Sequence, residues 1–306
     1  MSDYDVIFPS GYCCDLIFTG LPEVPRLGAD LFGSGFHMAP SGNFLTVAKL
    51  HRLGVRVGWI ADFGCDMFSQ FVLDAARREG LDTRLFRLHD FPLRTLSVSF
   101  SFTDDRGFIS FAEAFVEPSP VPIVKQHAPR CLLAPYLGLP LEHPDLLAAA
   151  RTQSSLIYLD CQYNRATLET PGVVEALRAA DIFAPNASEA MRLTGAPGVD
   201  DALARLAELT PLVVIKCGAD GAVARRGAQV MRDPAIPVNV VDTTGAGDCF
   251  NAGFVWAYLR GEPLETCLRC GNICGGLSTT APGSLAAPTL EQVQEWLKGG
   301  IIGDVA

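Results

Sequence analysis

The stretch Val238-Asn239-Val240-Val241-Asp242-Thr243-Thr244-Gly245-Ala246-Gly247-Asp248-Cys249-Phe250 decides how this chain is read. Its first four residues have the β-branched character of a strand. Beyond Gly245 the apolar residues Phe250, Phe254 and Tyr258 fall four apart, as on one face of a helix. A Gly-Ala-Gly turn therefore opens a helix. A helix N-terminus carries unpaired N–H groups and a partial positive charge. Small side chains let an anion come close to those amides. The amides of Gly245, Ala246 and Gly247 are thus suited to hold the oxygens of a phosphoryl group in transfer. Asp248, in the first turn beside them, is placed to take the proton of an attacking hydroxyl. The helix dipole alone also favours a carboxylate there, so both roles are open at this position.

The surroundings alternate between apolar strand-like runs and helical patterns. Val55–Ala61, Leu156–Leu159, Ile182–Ala184 and Leu212–Ile215 read as strands. Cys65–Glu79, Val173–Ala180, Ala187–Leu193, Ala202–Leu209, Gly245–Leu259 and Leu264–Leu277 read as helices. Continuous apolar strands between helices imply a mostly parallel sheet covered on both faces. Two segments break the rhythm, 16–37 and 94–111. In the second, Leu96, Val98, Phe100 and Phe102 alternate with small polar residues, and Asp104-Asp105-Arg106-Gly107 reads as a hairpin turn. The two segments together are expected to form a small β-sheet lid on a single α/β domain spanning 1–306.

The 306 residues carry a formal net charge of −10. That argues against nucleic acid or an anionic membrane as the main partner. No apolar run is long enough to span a bilayer, and the acidic start Met1–Asp5 does not resemble a secretion signal; a cytoplasmic location is expected. Ten scattered cysteines fit reduced thiols. Cys267, Cys270 and Cys274 have a spacing that suits zinc only with a further ligand, and that equally places small apolar side chains on one helix face.

The run D-T-T-G-A-G-D-x-F-x-A-G, from Asp242 to Gly253, resembles the C-terminal signature of the ribokinase-like (PfkB) family of sugar and nucleoside kinases. Other segments agree in order: Gly64–Phe68 with Gly80–Thr83, Pro185–Glu189, Lys216–Ala222, and Gly271-Asn272 through Ala281-Pro282-Gly283. The resemblance implies a three-layer α/β sandwich with a mostly parallel sheet and a β lid, and ATP with Mg²⁺ as cofactors. It implies Asp248 as general base and Gly245, Ala246 and Gly247 as anion hole. Asn186 and Glu189 would organise Mg²⁺ through its waters. Lys216, Gly218 and Gly221 would lie on the nucleotide side, with Asn272 and Gly275 bordering the adenine. Asp242, Thr244 and Gly283 match the usual place of a monovalent cation such as K⁺.

The acceptor side departs from the family. Asp15 matches its hydroxyl-binding aspartate, but Cys13 stands where an asparagine is common. The usual glycine pair falls on Pro40 and Ser41 and the usual asparagine on Leu45; a local shift would give those roles to Gly42 and Asn43. A further acidic sugar contact falls on Gly138. Unmet polar groups are costly in a site built for sugar hydroxyls, which argues against ribose itself. Asn164 and Arg165, after the strand Leu156–Leu159, are further substrate candidates, Arg165 for a carboxylate or phosphate. Phe44, Leu45, Phe100 and Phe102 suggest either an apolar acceptor pocket or plain core and lid packing. The expected activity is phosphorylation of a hydroxyl on a small sugar or sugar derivative. A nucleoside kinase and a catalytically silent sensor are the alternatives. A homodimer through the lid is also expected, because the alternating strands leave an apolar sheet face to cover.

Overall fold

The computed structural model describes residues 2–28, 30–101, 106–162, 165–281 and 288–299. In chain order its elements are β1 Val6–Pro9, β2 Cys13–Thr19, β3 Gly35–Ser41, α1 Asn43–Arg52, β4 Val57–Phe63, α2 Met67–Glu79, β5 Phe86–Leu88, β6 Thr95–Ser101, β7 Arg106–Ala112, α3 Val121–His127, β8 Cys131–Ala134, α4 Leu139–Glu142, α5 Leu146–Thr152, β9 Leu156–Leu159, α6 Val173–Ala179, β10 Ile182–Phe183, α7 Ala187–Thr194, α8 Val199–Leu206, β11 Leu212–Lys216, β12 Ala222–Arg226, β13 Gln229–Asp233, α9 Ala246–Leu259, α10 Leu264–Ser278 and α11 Leu290–Leu297.

Among the described residues the main sheet has nine strands in the order β13-β12-β11-β10-β9-β8-β1-β4-β5. From β11 to β5 the pairs are parallel, and only the β11–β12 and β12–β13 pairs are antiparallel. The central strands are apolar throughout because both faces are covered. Trp59, Phe63, Tyr158 and Phe254 lie in one apolar layer, and Ile7, Ile60, Leu132 and Phe183 in the other. Chain order reverses about β1, whose neighbours β4 and β8 lead in opposite directions along the sheet. Such a switch point, at the carboxyl ends of the strands, is where open α/β sheets bind ligands.

Local chemistry sets the helix ends. Asp66 caps α2, its Oδ1 accepting from the amides of Phe68 and Ser69 at 3.0 Å each, and Gly80 ends the helix at φ 78°. α9 is buried almost all round, between α1 and α10. Its approach to α10 needs small residues: a Cβ on Gly253 would lie 2.5 Å from the Cys270 carbonyl oxygen, and one on Gly271 2.7 Å from the Phe250 ring. Cys267, Cys270 and Cys274 are buried on α10, where the thiols serve as compact apolar side chains.

The second sheet has the order β3-β2-β6-β7. It spans 13–19, 35–41, 95–101 and 106–112, so residues 20–34 of the first lid segment lie outside its strands; of the expected turn, Asp104 and Asp105, with Phe102, lie outside the described residues, while Arg106 and Gly107 belong to β7, paired with Ser101 and Phe100. The alternation in β6 is real, but its serines are the buried side: Ser97 and Ser99 are buried while Leu96, Val98 and Phe100 are only partly so.

One strand expectation fails. Residues 238–241 are not in a strand. Val240 and Val241 are exposed, and the amides of Val241 and Asp242 donate to the Thr279 carbonyl at 2.7 and 3.0 Å. The segment docks on the end of α10 instead of a sheet edge, so its β-branched residues have no strand to pair with. The first strand of the main sheet is Val6–Pro9, and Asp15 lies on the lid strand β2 that follows it.

Candidate active site

Gly245 precedes the first turn of α9 at φ 74°, the left-handed region that glycine adopts without strain. A Cβ there would also meet Leu45 Cδ1 at 2.4 Å. The turn can therefore close only on glycine, and it presents Ala246, Gly247 and Asp248 at the open end of α9. Asp248 is partly buried. Thr46 Oγ1, from α1, donates to Asp248 Oδ1 at 3.0 Å. Burial pushes the Asp248 carboxyl up to about 6, and the nearby charge of Asp160 pushes in the same direction; Lys216, the Thr46 hydrogen bond and Lys49 oppose them. A carboxylate tuned to that range holds a proton weakly at neutral pH yet can take one from an alcohol in the transition state.

Lys216 ends β11, and its ammonium lies near the same turn: a Cβ on Gly247 would be 3.8 Å from Lys216 Nζ. Lys216 Nζ donates to both carboxylate oxygens of Asp160, at 2.9 and 3.0 Å, and to Asn251 Oδ1 at 3.2 Å. Asn251 in turn donates to Asp160 and accepts from the Tyr158 hydroxyl at 2.8 Å. Asp160, just beyond β9, is buried, as is Asn251. This network fixes a cation beside the anion-binding turn and satisfies every charge it buries. Thr46, Asp160 and Asn251 were not singled out from sequence.

Asn186 and Glu189 form the capping box of α7. Asn186 Oδ1 accepts from the Glu189 amide at 2.9 Å, and Glu189 Oε2 accepts from the Asn186 amide at 2.8 Å. Asn186 bridges to Lys216 across the strand ends. Burial raises the Glu189 carboxyl above its ordinary value. Glu189 thus brings a carboxylate to the strand ends beside Lys216, the kind of oxygen donor that Mg²⁺ takes through its waters.

The remaining nucleotide-side residues divide. Gly218, at φ 60°, has open space where a Cβ would stand. Gly221 is required by its own chain, since a Cβ would lie 2.1 Å from the Asp233 carbonyl oxygen. Asn272 donates to Asp233 Oδ2 at 2.6 Å and to the Asp233 carbonyl at 2.9 Å. Gly275 lets α10 approach Ala246, whose carbonyl oxygen would be 3.1 Å from a Cβ. These three are accounted for by packing. Asp242 Oδ1 accepts from the Thr244 amide at 2.8 Å and its hydroxyl at 2.6 Å; Gly283 lies outside the described residues.

On the acceptor side, Asp15 pairs with Ser97 across β2 and β6, so both side chains share one face of the lid. Gly42, at φ 61°, precedes α1, and Asn43 Nδ2 donates to the Gly11 carbonyl at 3.4 Å. Cys13 Sγ lies 3.8 Å from Asp15 Oδ1. Phe44 stacks edge-on against Trp59 and Leu45 packs on Gly245, and both side chains are buried. Arg165 is exposed in the loop after β9, and Asn164 lies outside the described residues.

Residues 32–290 match the family described as pfkB family carbohydrate kinase. Ribokinase of Haemophilus influenzae is 26% identical over 294 residues, covering 91% of this chain and 94% of that protein. The 2-dehydro-3-deoxygalactonokinase of Haloferax volcanii is 40% identical over 91 residues, covering 30% of this chain and 29% of that protein. Arabidopsis thaliana ribokinase, solved complexed with ribose and ATP, superposes with a TM-score of 0.83 at 21% identity, covering 97% of this chain and 99% of that one.

Proposed function

Because this chain belongs to the pfkB family of carbohydrate kinases and is a phosphotransferase with an alcohol group as acceptor, we propose that Asp248 is its general base and the Gly245–Gly247 turn its anion hole. The observation that carries this is the convergence of Asp248, the helix start of α9 and Lys216 Nζ at one place. The acceptor hydroxyl gives its proton to Asp248, and its oxygen attacks the γ-phosphorus of ATP. The bond from that phosphorus to the bridging oxygen breaks, and ADP leaves with the electron pair. The amides of Ala246 and Gly247 and the ammonium of Lys216 meet the charge on the phosphoryl oxygens.

Glu189, through water, would help hold Mg²⁺, which screens the phosphate charge when bound. Gly218 supports the reading of a nucleotide-side loop, because its open surface admits a flat ligand. Asp242 and Thr244 offer oxygens for K⁺, with Gly283 as the third expected member. We take residues 1–306 as one kinase domain whose lid closes over the acceptor.

The acceptor we favour is a small sugar derivative carrying a carboxylate. Arg165 is an exposed cation at the carboxyl end of the sheet, and Asp15 with Ser97 supplies polar groups for hydroxyls from the lid. No described helix is long and apolar enough to cross a membrane; we place the protein in the cytoplasm. We propose a homodimer through the lid, whose Phe18, Phe36, Ile109 and Phe111 leave apolar area exposed. Light scattering tests this, and a monomer at micromolar concentration would refute it.

The function is tested by ADP release from purified protein with a panel of sugars, polyols, sugar acids such as 2-dehydro-3-deoxy acids, and nucleosides. Turnover with sugar acids and not with nucleosides is expected. Turnover with nucleosides alone would overturn the acceptor assignment.

A further inference from the structure

Two connections lead the chain from the α/β body out into the central strands of the lid. Residues 10–12 run from β1 to β2, and residues 89–94 run from β5 to β6. β2 and β6 then lie side by side and pair in parallel. Both connections meet the start of α2 at one place. There Asp66 does more than cap the helix. While Oδ1 serves the cap, Oδ2 accepts from the Leu93 amide and from the Ser69 hydroxyl, at 2.9 Å each. The Tyr12 hydroxyl donates to the Leu93 carbonyl at 2.5 Å and lies 2.7 Å from Ser69 Oγ. The Gly64 amide donates to that same Oγ at 2.8 Å.

Leu93 is thus held through both its amide and its carbonyl. The first bond comes from α2 and the second from the residue just before β2. Tyr12, Ser69 and Leu93 are all buried, and the Tyr12 ring stacks on Phe63 with centroids 5.0 Å apart. The backbones are close as well: a Cβ on Gly64 would lie 2.3 Å from the Leu93 nitrogen. Burial pushes the Tyr12 phenol up to about 12, so it stays a donor at neutral pH. Burial also works to raise the Asp66 carboxyl, but the bonds from Ser69, Leu93 and Phe68 outweigh it and hold the group below its ordinary value. A helix cap needs one oxygen and a nearby amide. The remaining bonds reach 27 residues along the chain from Asp66 to Leu93, and 81 from Tyr12 to Leu93. A fully satisfied buried polar network fixes one arrangement of the parts it joins. The parts joined here are the roots of β2 and β6. Asp15 lies three residues beyond Tyr12, Ser97 four beyond Leu93, and the two pair across the strands.

We propose that Asp66 is a positioning residue for phosphoryl transfer: with Tyr12 and Ser69 it anchors the roots of β2 and β6 to the body, and so sets where Asp15 and Ser97 meet the acceptor relative to Asp248. The proposal rests on the reading of Asp15 as an acceptor contact. An error of about 1 Å in such placement is enough to cost much of the rate, which gives the anchor a consequence for the reaction.

The test uses the full chain as wild type, Asp66→Asn and Tyr12→Phe. Asparagine caps helices as well as aspartate does, but it sets an NH₂ donor where Oδ2 accepted from the Leu93 amide. Tyr12→Phe keeps the ring stack and removes only the hydroxyl. Amide hydrogen exchange is expected to be about tenfold faster in 13–19 and 95–101 of Asp66→Asn, and faster to a lesser degree in Tyr12→Phe, with β4 and β9 as in wild type. With 2-dehydro-3-deoxygluconate as acceptor, KM for the acceptor is expected to rise about tenfold in Asp66→Asn while KM for ATP stays as it is. Tyr12→Phe decides the matter if Asp66→Asn does not fold. Lid exchange unchanged in the folded variants, a rise confined to α2, or the two KM values altered alike would overturn the proposal. A wild type that leaves this sugar acid untouched counts against the acceptor reading, and exchange then decides the anchor by itself.

Discussion

Thr46 Oγ1 on α1 donates to Asp248 Oδ1 on α9 at 3.0 Å, across 202 residues of chain. The bond aims the carboxylate and favours its charged form against the burial that raises its pKa. Thr46→Val keeps the side chain's shape and removes the donor. The expected result is a kcat lowered about tenfold, with the acidic limb of the pH–rate profile displaced to higher pH. Kinetics across pH 5 to 9 check this; an unmoved limb would remove Thr46 from the account.

The pKa of Asp248 also bears on stability. Its folded value, about 6, lies above the ordinary carboxylate value of 3.8. Between those values the folded state binds more protons than the unfolded state, so stability falls as pH rises. The contribution is fully present below pH 3.8 and is lost as pH passes about 6. Asp248→Asn should therefore raise Tm at pH 8, by roughly a few degrees, and the gain should vanish toward pH 4. Scanning calorimetry of both proteins at the two pH values checks the sign.

In the Lys216–Asp160 pair the carboxylate is buried and the lysine partly so, and Asn251 shares it. Asp160→Ala leaves a partly buried ammonium and an amide without their acceptor. A destabilisation of about 3–5 kcal/mol is expected, read by denaturant unfolding. Lys216→Met removes the charge beside Gly247 and should lower kcat more than it raises KM, since that charge is met most fully in the transition state.

Gly245 is constrained twice, by φ 74° and by Leu45 Cδ1 at 2.4 Å from an added Cβ. Gly245→Ala should lower activity by more than about tenfold and stability by about 1–3 kcal/mol. Leu45→Ala in the same protein relieves the clash but not the backbone strain, so it should restore only part of the stability. Full restoration would show that the clash alone mattered.

Much of this arrangement could be read from sequence because it is local. The Gly245–Gly247 turn and the apolar positions Phe250 and Phe254 lie close together in sequence, so their spacing specified a glycine turn that opens α9, while the role of Asp248 came from the family resemblance. The strand Leu156–Leu159 was found residue for residue, because a fully buried parallel strand is a short continuous apolar run. What escaped is non-local. Asp160 meets Lys216 across 56 residues and Asn251 across 91, and nothing near a lone aspartate after a strand announces such partners. Val238–Val241 had strand character but no neighbour to pair with. In β6 the alternation was legible, yet which side faces inward depends on β2 and β7, and the buried side proved to be the serines. Asn186 and Glu189 have the spacing of a capping box as well as that of a magnesium site, and the capping box is the part that the side chains form.

The central claim is that Asp248 takes the proton of the acceptor hydroxyl. The most direct measurement compares acceptor-dependent ADP release by wild type and Asp248→Asn, with the Tm of each recorded. The account predicts a kcat lowered by roughly 10²–10⁴ in a variant that stays folded and still binds ATP. A folded Asp248→Asn that turns over at the wild-type rate would contradict it.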